Sequence, residues 1–214
     1  MAQYQLYADK NTYAMSTHLL LEELQADYQV NWLDLHHPHS YPAEFIELNP
    51  NGRVPVLITP QGSLYESAAT LMVLSEHHAN QFMPVANSSK RHLALQWLFY
   101  LLSTFQPEVM IQFHPERYFP DDKQKQAELK IASRKELGFI WKILDDAIAN
   151  NTYFLGDEYS LCDMMFLMPA LWVENQPDEL TDYPNALRLM RNLMERHAVQ
   201  RILQIHRIQY LATF

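Results

Sequence analysis

The sequence predicts an α/β N-terminal domain over residues 1–80, a linker at 81–89 and an all-α domain over 90–214. Three observations carry this division. The first 80 residues alternate strand and helix signals, residues 81–89 combine Pro84 with the polar run Asn87-Ser88-Ser89, and from Lys90 onward the apolar residues recur at helical period.

The elements follow in order. Tyr4, Leu6 and Ala8 alternate with Gln3, Gln5 and Tyr7, the period of a strand with one buried face. Met15, Leu19, Leu20 and Leu24 share one side of a helix over 15–24. Val30 to Leu35 reads as a second strand and Pro42 to Leu48 as a short helix starting beside a proline. Val54 to Ile58 and Ser63 to Tyr65 flank the turn Thr59-Pro60-Gln61-Gly62, and Glu66 to His78 closes the unit as a helix. The order β-α-β-α-β-β-α is that of a small mixed sheet with helices packed on it. Beyond the linker, Leu93, Trp97, Tyr100 and Leu101 form one helical stripe, and Leu129 to Ile148 another. Gln106-Pro107 to Pro120 is expected to interrupt the first helices; later helices are expected at 160–173, 183–196 and 198–211.

Composition narrows the function. The chain has 214 residues, 48% of them apolar and 19% charged, with only 4 glycines, which fits a helix-rich globular protein. A net charge of −9 argues against a nucleic-acid footprint. Cys162 stands alone, so there is no disulfide framework, and a reducing compartment fits. The first residues lack a basic n-region and an apolar h-region, and the run Met164 to Val173 is too short to span a bilayer. The expectation is a cytoplasmic protein with no membrane association.

The most informative stretch is Asn49-Pro50-Asn51-Gly52-Arg53-Val54-Pro55-Val56-Leu57, followed by Leu64-Tyr65-Glu66-Ser67. The first piece is a turn feeding a buried strand through an X-Pro bond, the one bond type for which cis is accessible. Proline has no N–H to give a sheet, which places Pro55 at a strand's first residue or edge. The second piece sets an acid and a hydroxyl at the start of an apolar helix, where unpaired N–H groups and the positive dipole end favour a carboxylate ligand. A fixed bend beside such a helix start can hold a small peptide-like molecule by its backbone and its acid group. In this order the two pieces resemble the glutathione site of the glutathione S-transferase family. The resemblance implies a thioredoxin-like first domain, backbone pairing of glutathione with Val54 ahead of a cis Pro55, and a γ-glutamyl end held by Glu66 and Ser67.

A second signal is structural. In Tyr159-Ser160-Leu161-Cys162-Asp163-Met164, Ser160 can accept from the Asp163 N–H while the Asp163 carboxylate reaches back to the N-cap N–H, with Tyr159 and Met164 as a hydrophobic staple. After Gly156, this box resembles the folding box of the same family's helical domain.

The resemblance also implies what catalysis requires, a lowered thiol pKa for bound glutathione, which otherwise titrates near ~8.5. The group responsible belongs between the first strand and first helix. Tyr13, Thr12, Asn11 and Ser16 are the candidates there, and the absence of cysteine excludes a cysteine-type mixed-disulfide route. The glycine carboxylate of glutathione is expected near Arg53 or His39, since His36-His37-Pro38-His39 supplies no lysine or arginine. Phe105, Met110, Phe113 and Tyr118 fall where the family builds its electrophile pocket. The histidines at 36, 37, 39, 77 and 78 have no cysteine or carboxylate at ligand spacing, so no metal is expected.

Together these imply a homodimeric glutathione transferase taking glutathione as co-substrate and a small apolar electrophile, in a detoxification role. Two alternatives stay open. Met83-Pro84-Val85, Tyr153-Phe154-Leu155 and Leu171-Trp172 resemble the stringent starvation protein A family, whose members keep this fold without catalysis and associate with RNA polymerase. A glutathione-dependent disulfide reductase with Asn11 as thiol partner would share the binding site.

Overall fold

A computed structural model describes residues 2–174 and 180–208. Contacts divide the chain into two units, 1–84 with 193–214, and 85–192.

In the first unit, β1 (Tyr4–Ala8), α1 (Ala14–Glu23), β2 (Tyr28–Trp32), α2 (Ala43–Leu48), β3 (Val56–Thr59), β4 (Gly62–Tyr65) and α3 (Ser67–His77) follow in the expected order. The sheet order is β2-β1-β3-β4, with β1 parallel to β2 and antiparallel to β3, and β4 antiparallel to β3. The central strands carry the core: Tyr7 and Val56 pack with Phe45 of α2, and Leu19, Leu20, Leu71 and Leu74 are buried from the helices. β2 begins two residues earlier than its hydrophobic run suggests. It is an edge strand, half-buried or exposed along its length, so its period-two contrast is weak.

In the second unit, α4 (Ser89–Tyr100), α5 (Gln106–Phe113), α6 (Lys123–Ile148), α7 (Leu161–Glu174) and most of α8 (Pro184–Met194) build an aromatic core. Phe105 meets Trp141 edge-on at 4.8 Å, and Phe166 meets Trp141 at 5.8 Å and Phe154 at 5.4 Å. The expected break at Gln106-Pro107 is not one. A π-helical segment, Leu101–Phe105, joins α4 to α5, and Pro107 sits in the first turn of α5. A proline ring crowds the carbonyl four residues back, and the widened turn accommodates it there.

Ser88, assigned by sequence to the linker, caps α4 by accepting from the Arg91 N–H at 3.1 Å. The Ser160–Asp163 box forms with one change. Asp163 Oδ2 accepts from the Ser160 N–H at 2.8 Å, but the Ser160 hydroxyl donates to that same carboxylate at 2.7 Å rather than accepting from the Asp163 N–H. The other oxygen, Oδ1, accepts from the Phe154 N–H at 2.9 Å, tying the preceding loop to the helix start. Asp145 of α6 caps α8 from outside it, accepting from the Asn185 and Ala186 N–H groups at 2.7 and 2.8 Å.

The last described helix, α9 (His197–His206), belongs to the first unit. It packs on α1, with Val199, Ile202 and Leu203 buried and Arg196 bidentate to Glu23 at 2.7 and 2.9 Å. The sequence places this helix at 198–211; residues 209–211 lie outside the described residues. No helix among the described residues is long and apolar enough to cross a membrane.

Candidate functional site

Strand register brings the motifs together. Tyr7 pairs with Val56, Val56 with Tyr65, and Ala8 with Trp32. One step further along each ladder, Pro55 stands opposite Glu66 and next to the exit of β1. The β1–α1 loop, the Val54–Pro55 bend and the Glu66-Ser67 helix start therefore share one end of the sheet. With strands about 4.8 Å apart, this row is roughly 10 Å across, the length of three extended residues.

The Val54–Pro55 bond is cis. The turn before it is fixed by Asn49, 2% exposed, whose side-chain NH2 donates to the Arg53 carbonyl at 2.8 Å while its Oδ1 accepts from the Asn51 N–H at 3.1 Å. Gly52 supplies the left-handed turn, φ +62°, with its N–H on the Asn49 carbonyl at 2.9 Å. Val54 is half-buried and Arg53 exposed. Glu66 sits at the N-cap of α3 with φ +76°, its side chain exposed and its carbonyl accepting from the Thr70 N–H. Ser67, the first residue of α3, is buried. Thr70 donates to the Ser67 carbonyl at 2.8 Å and therefore accepts from Thr17 of α1 at 2.7 Å, which locks the two helix starts to each other.

In the β1–α1 loop, Asp9 is the organiser. Its carboxylate accepts from the Lys10 N–H at 2.7 Å and, across the sheet end, from the Leu35 N–H at 2.9 Å. Thr12 donates its hydroxyl to the Asp9 carbonyl at 2.7 Å, and Ser16 donates to the Tyr13 carbonyl at 2.8 Å, so both hydroxyl protons are already committed to backbone. Tyr13 occupies the N-cap position of α1 without a side-chain capping hydrogen bond, its ring is buried, and burial pushes the phenol well above its ordinary value. Asn11 is exposed at the loop tip with φ +55°, a left-handed conformation that asparagine tolerates.

The other assigned residues separate. His39 is exposed in a short 3-10 turn, Pro38–Ser40, after β2. Phe105, expected at a pocket wall, is fully buried in the aromatic core, its ring packed on Trp141 and Phe166. Met110 is half-buried, whereas Phe113 and Tyr118 are 39% and 57% exposed, with Phe113 edge-on to Trp172 at 5.9 Å. Among the described residues, no group of three or more His, Cys, Asp or Glu side chains is placed to hold a metal ion. Sequence reading missed Asp9, Thr17 and Thr70, whose roles depend on contacts across elements, and treated Asn49 only as a turn residue.

A mixed four-stranded sheet with a cis-proline bend, followed by a helical bundle, defines the class of thioredoxin-like domains fused to an all-helical domain. Residues 12–77 match the glutathione S-transferase N-terminal domain and residues 106–197 the glutathione S-transferase C-terminal domain. The chain belongs to the glutathione S-transferase family. Glutathione S-transferase GstB of Escherichia coli (strain K12) is 26% identical over 189 residues, 87% of this chain and 90% of GstB. The glutathione S-transferase-like protein OpS6 of Beauveria bassiana is 30% identical over 193 residues, 86% of each chain. The solved structure of a sphingomonad glutathione S-transferase complexed with glutathione shares the fold, with a TM-score of 0.83 at 22% identity, covering 96% of this chain and all of that one.

Proposed function

We propose that this protein is a cytoplasmic, homodimeric glutathione transferase that binds glutathione along the Val54, Glu66 and Ser67 edge and offers its thiolate to small apolar electrophiles in detoxification. The observation that carries this reading is the register that sets the cis Val54–Pro55 bend opposite the Glu66-Ser67 start of α3. In it, the Val54 backbone pairs with the cysteinyl residue. Glu66 receives the γ-glutamyl ammonium, and the Ser67 hydroxyl with the α3 start receives its carboxylate. Pro55 shapes the bend, while Arg53 and His39 are the basic groups for the glycine carboxylate.

Thiol ionisation falls to the β1–α1 loop. Because Thr12 and Ser16 donate to backbone carbonyls and Tyr13 is buried, we assign the stabilising donors to Asn11 and the N-terminus of α1. The electrophile meets Met110, Phe113 and Tyr118 of the helical unit. Exposed Phe99 of α4 with Ile131 and Phe139 of α6 are the apolar residues offered to a second copy.

Calorimetric titration with reduced glutathione, repeated on the Glu66→Ala/Ser67→Ala variant, tests the reading. Saturable binding that the double substitution abolishes supports it. A folded wild-type protein that ignores millimolar glutathione overturns it and leaves a protein-binding role for the fold. Turnover of glutathione mixed disulfides without conjugation would instead identify a reductase.

A further inference from the structure

Between α1, β2 and α9 runs a chain of polar side chains, half-buried at Glu22 and Tyr28 and buried at His18 and His206, that the proposed glutathione site does not use. The Tyr28 hydroxyl donates to Glu22 Oε1 and lies 2.9 Å from His18 Nε2; His18 Nδ1 lies 3.0 Å from His206 Nε2. At one end, Glu22 Oε2 holds the Arg201 guanidinium at 2.8 Å near the surface. At the other, His206 Nδ1 is buried with no hydrogen-bond partner among the described residues.

The chain has a direction. Since Tyr28 gives its proton to the Glu22 carboxylate, its oxygen must accept from His18, which puts the His18 proton on Nε2. His18 Nδ1 is then a lone pair and accepts from His206 Nε2–H, leaving a lone pair on His206 Nδ1. Every proton in the chain points toward Glu22.

We propose that this chain is a tautomer switch whose direction is set by the protonation of Glu22, linking that half-buried carboxylate, paired with the exposed Arg201, to the buried Nδ1 of His206. When the chain takes up one proton, each of the three shared protons moves one hydrogen bond toward Glu22 and the added proton appears on His206 Nδ1. Glu22 becomes a carboxylic acid, Tyr28 stays a phenol, and both histidines stay neutral but carry their proton on Nδ1. No buried charge is created, and the heavy atoms need not move.

The surroundings disfavour a buried imidazolium at either ring. Burial, with Arg201 nearby, holds His18 down to about 4; burial, with His18 and Lys10, holds His206 down to about 3. The groups facing the pair are Arg201 from α9, Lys10 and Asp9 from the β1–α1 loop, and the Trp32 ring from β2 at 5.3 Å from His206 and 6.0 Å from His18. On the α3 side of α1, neutral Thr70 pairs with Thr17. The far end of the switch thus lies in the field of the loop that Asp9 organises. The inference does not rest on glutathione binding.

Nitrogen-15 NMR of the imidazole rings in the full chain tests it. Near neutral pH, the wild-type protein should show the N–H signal at Nε2 and the lone-pair signal at Nδ1 for both histidines. In Glu22→Gln, Arg201 keeps the amide oxygen, so the amide NH2 faces Tyr28 as a donor, and the signals should exchange at both rings. Adding Tyr28→Phe, which cuts the chain, should abolish the effect of Glu22→Gln on the tautomers. An Nδ1–H tautomer of His18 in the wild type near neutral pH overturns the proposal, whether or not the variants fold. A folded Glu22→Gln protein that keeps Nε2–H overturns it equally.

Discussion

Asn49 holds the Arg53 carbonyl at 2.8 Å from within the fold, so the residue two before the cis proline is fixed by a side chain four positions earlier. Replacing Asn49 with alanine removes this donor and the Asx turn to Asn51. The expected cost is about 1–3 kcal/mol, read as a lower denaturant midpoint at unchanged slope. Glutathione affinity should fall with it, because Val54 then lacks a fixed preceding carbonyl.

Asn11→Ala and Tyr13→Phe separate the two readings of the thiol loop. With the donor at Asn11, its removal should lower kcat on the order of 10²-fold and raise the pH midpoint for thiolate formation, followed by ultraviolet absorbance of bound glutathione. Tyr13→Phe should leave that midpoint unmoved. The reverse pattern would return the role to the tyrosine.

The two units should answer acid in opposite directions. His18 and His206 titrate in the fold at about 4 and about 3, below the unfolded value near ~6.5. Their stabilising contribution is complete above that unfolded value and declines as pH falls toward the folded ones, since the unfolded chain binds protons the fold refuses. Asp163 is the opposite case. Burial pushes its carboxyl up to about 6 against three hydrogen bonds that pull it down, so the second unit gains stability as pH falls from about 6 toward the unfolded value near ~3.9. Segment-resolved hydrogen exchange near pH 7 and near pH 5, corrected for intrinsic rates, should show α1 and α9 losing protection while α7 does not. His18→Gln/His206→Gln should flatten the first response.

Phe99→Glu and Phe139→Glu test self-association. Both rings are more than half exposed, at 53% and 63%, so neither substitution removes core. Light scattering should report a shift from dimer to monomer for at least one of them, with helix content unchanged. A wild-type protein that is monomeric at all concentrations would rule out the homodimer.

The local motifs were legible because each acts over a few residues: Val54 with Pro55, Glu66 with Ser67, Ser160 with Asp163. The π segment was not, because Pro107 ordinarily ends a helix and nothing in Leu101–Phe105 announces the widened turn that accommodates it. The burial of Tyr13 and Phe105 was equally hidden; an aromatic beside a polar loop reads the same whether it faces solvent or core. His18 and His206 meet across 188 positions, and no sequence period records such a pair. Asp9 takes its role from the Leu35 N–H, 26 positions on, and no local pattern records that contact.

Glu66 adopts φ +76° and ψ +118°, a region that side chains with a Cβ avoid and glycine enters freely. The residue best placed to bind an ammonium is thus one its own backbone would rather not contain. Glu66→Gly should raise the melting temperature while weakening glutathione binding, whereas Glu66→Gln should weaken binding without that gain. On the proposed function, stability and recognition compete at this one position, and a selection for heat resistance alone would be expected to erase the acid.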